Sequence, residues 1–237
     1  TGNQNTALGN STLVKNTTGS CNTAVGTLAL YANTTATGNV AVGACALKEN
    51  TTGVRNVAVG QNSMKLSTTA SDSVMIGTTA GDAITTGTSN TGVGADVMSS
   101  TTTGDFNVAM GNSALGANTT ADNNTAIGFF SMLLNTTGTG NAAVGRDSLR
   151  CNTTGNNNSA LGKDALKLNT TASSNTAVGN SVLTTNTTGA SNTAVGAGAM
   201  FANTTGASNT AVGVDALPAN TTAADNTAMG AESLKDH

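Results

Sequence analysis

Apolar and polar positions along this chain repeat every 17 residues and never slip. The marker is a glycine at 9, 26, 43, 60, 77, 94, 111, 128, 145, 162, 179, 196, 213 and 230. A short fixed period held through fourteen copies predicts a solenoid, each copy one coil stacked on the last. Counting that glycine as position 5, the coils begin at 5, 22, 39, 56, 73, 90, 107, 124, 141, 158, 175, 192, 209 and 226. The expected fold is all-β, a parallel β-solenoid (β-roll) of fourteen 17-residue coils. Each is expected to hold a short strand and a capped helical turn, and residues 1–237 are read as a single rod, roughly 65 Å long at about 4.8 Å per coil.

Positions 1 to 4, as in Asn175-Thr176-Ala177-Val178, read as the strand. Position 4 is always apolar (Val25, Ile76, Met110, Leu161) and position 2 is mostly Thr or Val. Strand alternation places these two on one face, and position 4 is taken as a core site. Position 3, on the opposite face, is Ala at Ala7, Ala24, Ala41, Ala58, Ala109, Ala126, Ala143, Ala160, Ala177, Ala194, Ala211 and Ala228. A site open to water should vary in size, so this outer stripe is expected to pack against a neighbour and is the candidate oligomer stripe.

The constant glycine at position 5 implies either φ > 0 or no room for a Cβ. Position 15 alternates between Gly and Ala, which ordinary backbone angles allow. Positions 7 to 11 read as one helical turn, because position 7 favours Ser, Asn and Asp (Ser11, Asn62, Asp164), the residues that cap helices. Leu or Met at position 9 in thirteen coils is the second core residue. Asn-Thr-Thr fills positions 12 to 14 in ten coils and suggests ladders of like polar residues along the axis. These triplets, from Asn16 to Asn220, are formal glycosylation sequons. The Thr pair persists where Asn is lost (Ser67, Ile84), which favours coil geometry as the reason for the phrase.

All 21 charged side chains and all five aromatic ones fall at positions 6, 7, 10, 11, 16 or 17, the expected free surface. Coils five and six diverge most, with Met75, Gly81, Ile84 and Gly92 replacing the usual residues, and read as repeat decay. In coil eight, Phe129, Phe130, Leu133 and Leu134 occupy surface positions and form a candidate contact patch.

Composition narrows the function. With aromatics at 2% and no Trp, only a thin interior of small side chains can be filled. A net charge of −3 without a basic stripe argues against nucleic acid. No run reaches the length of a membrane helix, so membrane insertion is not expected, and the first residues carry no signal-peptide pattern. Cys21, Cys45 and Cys151 sit at different coil positions and read as separate thiols. The one histidine is His237, so no His-based triad or multi-His metal site is expected. Neither catalysis nor a cofactor is expected.

Val40-Ala41-Val42-Gly43, Val57-Ala58-Val59-Gly60 and Asn192-Thr193-Ala194-Val195-Gly196 resemble the Val-Ala-Ile-Gly phrase of trimeric autotransporter adhesin heads. The full phrase, Asn175–Ser191, is similar to repeats of phage and bacterial tail-fibre-type proteins. The resemblance implies left-handed β-rolls that associate as parallel trimers and bind host surfaces, although the coil here is longer than the adhesin coil. The expected role is a non-enzymatic structural or adhesive segment of an extracellular or virion surface fibre. Its expected partner is itself, as a homotrimer or by end-to-end stacking, with a cell-surface receptor or glycan as a further candidate. The alternatives are a self-polymerising matrix filament and an ice-binding solenoid. Against the last, the two adjacent Thr of each coil would point to opposite faces.

Overall fold

The computed structural model describes residues 2–236; Thr1 and His237 lie outside the described residues. It is an all-β parallel solenoid with one three-residue strand, at positions 2 to 4, in every coil. The chain divides into two compact units, 1–121 and 122–237. The first holds β1 (Thr6–Leu8), β2 (Thr23–Val25), β3 (Val40–Val42), β4 (Val57–Val59), β5 (Val74–Ile76), β6 (Thr91–Val93) and β7 (Val108–Met110). The second holds β8 (Thr125–Ile127), β9 (Ala142–Val144), β10 (Ser159–Leu161), β11 (Thr176–Val178), β12 (Thr193–Val195), β13 (Thr210–Val212) and β14 (Thr227–Met229). Within each unit every strand residue pairs with its copy in the next coil, as Ala24 with Ala41 and Ala177 with Ala194.

The strand faces are the reverse of the sequence expectation. Position 3 points inward: Ala24, Ala41, Ala58, Ala109, Ala126, Ala143, Ala160, Ala177, Ala194, Ala211 and Ala228 are all buried. Only Ala7, in the first coil, is exposed. Positions 2 and 4 point outward and are half-buried or exposed in every coil. The reason is width. Between the first and last coils Leu or Met at position 9 is fully buried, as in Leu30, Leu166 and Met200, and fills the interior from the opposite side. Only a methyl group fits across from it. The alanines are therefore the solenoid's own core, not an oligomer stripe.

The capped helical turn is replaced by a tighter corner. Positions 7 and 9 both lie in the left-handed region, as at Ser181 (φ 54) and Leu183 (φ 48). Asn and Asp recur at position 7 because they tolerate that conformation, not because they cap a helix. The inter-coil ladder continues around the corner: Leu183 N–H donates to Ala199 O at 3.1 Å and Ser181 N–H to Lys163 O at 2.9 Å. Those N–H groups point along the solenoid axis, so none is left to close an α-helical turn.

Both sequence reasons for the constant glycine hold together. Gly179 has φ +137, and a Cβ there would lie 2.9 Å from the carbonyl carbon of Gly196 in the next coil. We expect Gly179→Ala to destabilise by about 1–3 kcal/mol, with Ser181→Gly, two residues on, near neutral because it relieves left-handed strain. Chemical denaturation of the two variants checks the pair.

The asparagines at positions 1 and 12 form two buried ladders. Asn175 N–H and Nδ2 donate to Asn158 Oδ1 at 3.0 and 3.2 Å, and Asn169 Nδ2 donates to Asn152 Oδ1 at 2.8 Å. The two ladders meet at position 15, where Ala172 O accepts from Asn158 Nδ2 at 2.8 Å and from Asn169 Nδ2 at 3.0 Å. An interior holding this many amides is tolerable because they are paired along the axis, Asn50 Oδ1 beside the divergent coils excepted. Nine of the ten sequon asparagines, all but the half-buried Asn16, are buried in this way, which leaves their Nδ2 no access to a glycan.

Coils five and six are a compensated repacking, not decay. Gly81 takes the left-handed corner (φ +56) where other coils have Leu or Met, and Met75 reaches into the space that leaves. A Cβ on Gly81 would lie 3.0 Å from Met75 Sδ, and one on Gly92 would lie 2.5 Å from it. One large side chain has moved from one wall to the other, and the next coil gave up its alanine to accommodate it. Ile84 then breaks the position-12 ladder. Asn50 Oδ1 and Ser67 Oγ, just before the break, are buried without a hydrogen-bond partner.

Candidate interaction surfaces

Three kinds of outward face result from this coil. The first is the sheet face, positions 2 and 4. Its ranks run in register through each unit, as Thr176–Thr193–Thr210 beside Val178–Val195–Val212. Six of the exposed large apolar side chains lie on it at position 4: Leu8, Ile76, Met110, Leu161, Val195 and Met229. No charged residue occurs at either position anywhere in the sequence. Exposed large apolar side chains in a charge-free strip are what distinguish this face from the rest of the surface. The signal was present in the sequence, in the absence of Lys and Glu from positions 2 and 4, but it was assigned to burial.

The second face carries the threonine pairs. They divide their work: Thr170 Oγ1 at position 13 donates to Thr187 O in the next coil at 3.1 Å, and the same bond recurs at Thr153 and Thr187. The hydroxyl therefore meets the backbone of its copy, not the hydroxyl of its copy. Position 14 is exposed in all thirteen coils that reach it, from Thr18 to Thr222.

The third face holds the charges. In coil eight, Phe129 is 46% and Leu134 44% exposed, while Phe130 and Leu133 are half-buried. The two phenyl rings lie 3.8 Å apart between centroids at 32°. The Arg150 guanidinium of the next coil sits 5.4 Å from the Phe130 centroid, within cation–π range. All four coil-eight residues thus reach the surface, wholly or in part, and the two rings touch, but sequence reasoning missed the arginine over Phe130.

The next two coils repeat one charge arrangement. Asp147 lies 3.4 Å from Arg146 and 3.6 Å from Arg150. Asp164 lies 3.6 Å from Lys163 and 2.9 Å from Lys167. The carboxylate side chains are only 11% and 15% exposed, against 56% for Arg146 and 52% for Lys163. Burial pushes Asp164 up, but the hydrogen bond from Lys167 and the charges of Lys167, Lys163 and Arg146 outweigh it and hold the carboxyl below its ordinary value. The anions lie underneath and the cations lie on top.

Cys21 is exposed and Cys45 and Cys151 are half-buried, all three as free thiols. Among the described residues no group of His, Cys, Asp and Glu could hold a metal ion, and no helix is long and apolar enough to cross a membrane. No family model matches the chain, and neither a curated protein nor a solved structure was found to match it.

Proposed function

We propose that the chain is a non-enzymatic structural or adhesive segment of an extracellular or virion surface fibre, and that copies pack side by side through the sheet face. The observation that carries this reading is the exposed, uncharged pair of ranks at positions 2 and 4. Such a strip, repeated without interruption through seven strands of each unit, is what a laterally packed filament needs. A face that only met water would not keep large apolar side chains such as Ile76, Met110, Leu161 and Val195 exposed along it. Self-association through ranks 2 and 4 replaces the alanine stripe, whose methyl groups are consumed by the core.

Sedimentation equilibrium at micromolar concentration tests the reading. The expected mass is a multiple of 23.0 kDa, falling to the monomer in Val178→Lys/Val195→Lys with an unchanged circular-dichroism spectrum. A folded native chain at the monomer mass, or an assembly indifferent to the two lysines, would defeat it.

One observation favours a second reading as an ice-binding solenoid. Thr and Val stand side by side on the sheet face in a regular two-rank array, with Thr at position 2 in five of the seven strands of the second unit. The adjacent-threonine objection applies to positions 13 and 14 and does not reach this face. A thermal-hysteresis assay decides: a freezing gap that Thr176→Lys abolishes supports this reading, and no gap removes it.

A further inference from the structure

We infer that the second unit carries a binding surface for acidic polysaccharide, formed by Phe129 and Phe130 with Arg146, Arg150, Lys163 and Lys167. The inference rests on the adhesive part of the reading above and names the class of ligand.

Three consecutive coils build the surface, and the inter-coil ladder fixes their order. Asp147 N–H donates to Phe129 O and Asp164 N–H to Arg146 O, each at 3.0 Å, while Leu134 N–H donates to Arg150 O at 3.0 Å. Phe129, Arg146 and Lys163 therefore form one rank at position 6, and Leu133, Arg150 and Lys167 another at position 10. Successive cations in a rank are spaced by one coil, about 4.8 Å. Four of the nine Lys and Arg residues of the chain lie within these two coils, although the chain as a whole is acidic.

Each cation pair straddles a sunken carboxylate, Asp147 or Asp164. Lys167 is hydrogen-bonded to Asp164 at 2.9 Å, and Arg146 and Arg150 stand at ion-pair distance from Asp147, so the carboxylates attract the heads without covering them. The part in reach of solvent is cationic, and the part withdrawn from it is anionic. A guanidinium fork takes a carboxylate or sulfate through two parallel hydrogen bonds. Beside the forks, the exposed Phe129 ring offers a flat apolar platform, and Arg150 over Phe130 ties the platform to the charges.

The occupant that matches both halves is a sugar ring bearing an anionic group. Its C–H face would lie on Phe129 while its carboxylate or sulfate meets Arg150 and Arg146. A bare polyanion would use only the cations, and a neutral glycan only the ring. A polymer of such sugars could follow the ranks along the coils, so that several weak contacts add up.

Affinity measurements with the whole chain at about 0.15 M salt test this, using dextran sulfate and polygalacturonate as probes, with neutral dextran and polyglutamate as controls. At least one of the two acidic polysaccharides is expected to bind and neutral dextran is not. Phe129→Ala and Arg150→Gln are each expected to weaken binding about tenfold or more, while Lys15→Gln and Lys48→Gln in the first unit leave it unchanged. Both patch residues project from the surface, and an unchanged unfolding transition confirms that the variants fold. Sulfate preferred over carboxylate, or the reverse, identifies the anionic group.

Binding to neither acidic polymer overturns the inference. So does polyglutamate binding as tightly as the sugars with Phe129→Ala without effect, because charge alone would then explain retention. The patch variants are expected to sediment as the native chain does. A self-associating protein that ignores acidic polymers therefore removes this inference alone, whereas a monomer that binds them removes only the association.

Discussion

Ala177→Glu is expected to abolish cooperative folding of the coils around it, while Val178→Glu, one residue on, leaves the fold intact. Ala177 is fully buried and sits in register between Ala160 and Ala194. A carboxylate there would meet alanine methyls above and below. Nearby buried amide donors are already committed, Asn158 Nδ2 to Ala172 O and to Asn141 Oδ1, Asn175 Nδ2 to Asn158 Oδ1. Burying an unpaired charge and overfilling a packed interior act together, and the expected loss exceeds about 4 kcal/mol. Because each coil rests only on its neighbours, the damage spreads through nearest-neighbour interfaces. Val178 is half-buried and faces outward, so its replacement should cost less than about 1 kcal/mol of monomer stability. Thermal unfolding of both variants by circular dichroism gives the comparison. Equal losses would mean that the strand faces are assigned wrongly.

Gly81→Leu is expected to destabilise although Leu or Met fills that position in every other coil. A substitution toward the common residue of a repeat is ordinarily stabilising. Here the space is taken: Met75 Sδ and Ile84 Cδ1 lie 3.0 and 2.8 Å from where even a Cβ would stand. Forcing in a further isobutyl group should cost about 1–3 kcal/mol. Met75→Ala alone should also destabilise, by about 2–5 kcal/mol, because it empties the same space. The double variant returns positions 3 and 9 of that coil to the common residues and, with Ile84 still beside the Gly81 site, should recover part of both losses. Denaturant midpoints of the two single variants and the double variant measure the coupling. Additive losses would contradict the compensated core.

The period, a strand within positions 1 to 4, the glycine and the ladder at position 12 were legible because each is imposed by stacking, and stacking repeats its demands at a fixed interval. The second amide ladder, at position 1, was hidden because that residue was counted into the strand. The direction of the strand was misread because Val178 is apolar and Ala177 is merely small. In a narrow interior, constancy of size marks the inside, and the larger apolar residue is the one left outside. The corner was misread for a related reason. Asn62 and Asp164 are residues that cap helices, but the same residues tolerate φ > 0, and only the direction of the ladder N–H groups separates the two uses. The exchange among Met75, Gly81 and Gly92 was visible only as three departures in neighbouring coils, since nothing in the spacing shows that positions 3 and 9 share one volume. The coil-eight patch was legible as four apolar residues at surface positions. Its cationic half was not, because Arg150 reaches Phe130 from the following coil.

Oxidation of the native methionines tests the central claim, which residues each coil turns inward and which outward, without any substitution. The seven methionines divide by coil position. Met64, Met98, Met132 and Met200 at position 9 and Met75 at position 3 are fully buried, whereas Met110 and Met229 at position 4 are 49% and 73% exposed. Peroxide treatment followed by peptide mass spectrometry, at a dilution where the chain sediments as a monomer, should convert Met110 and Met229 to sulfoxide well before the other five. A Met110 as protected as Met132 under those conditions would place position 4 inside and contradict the account.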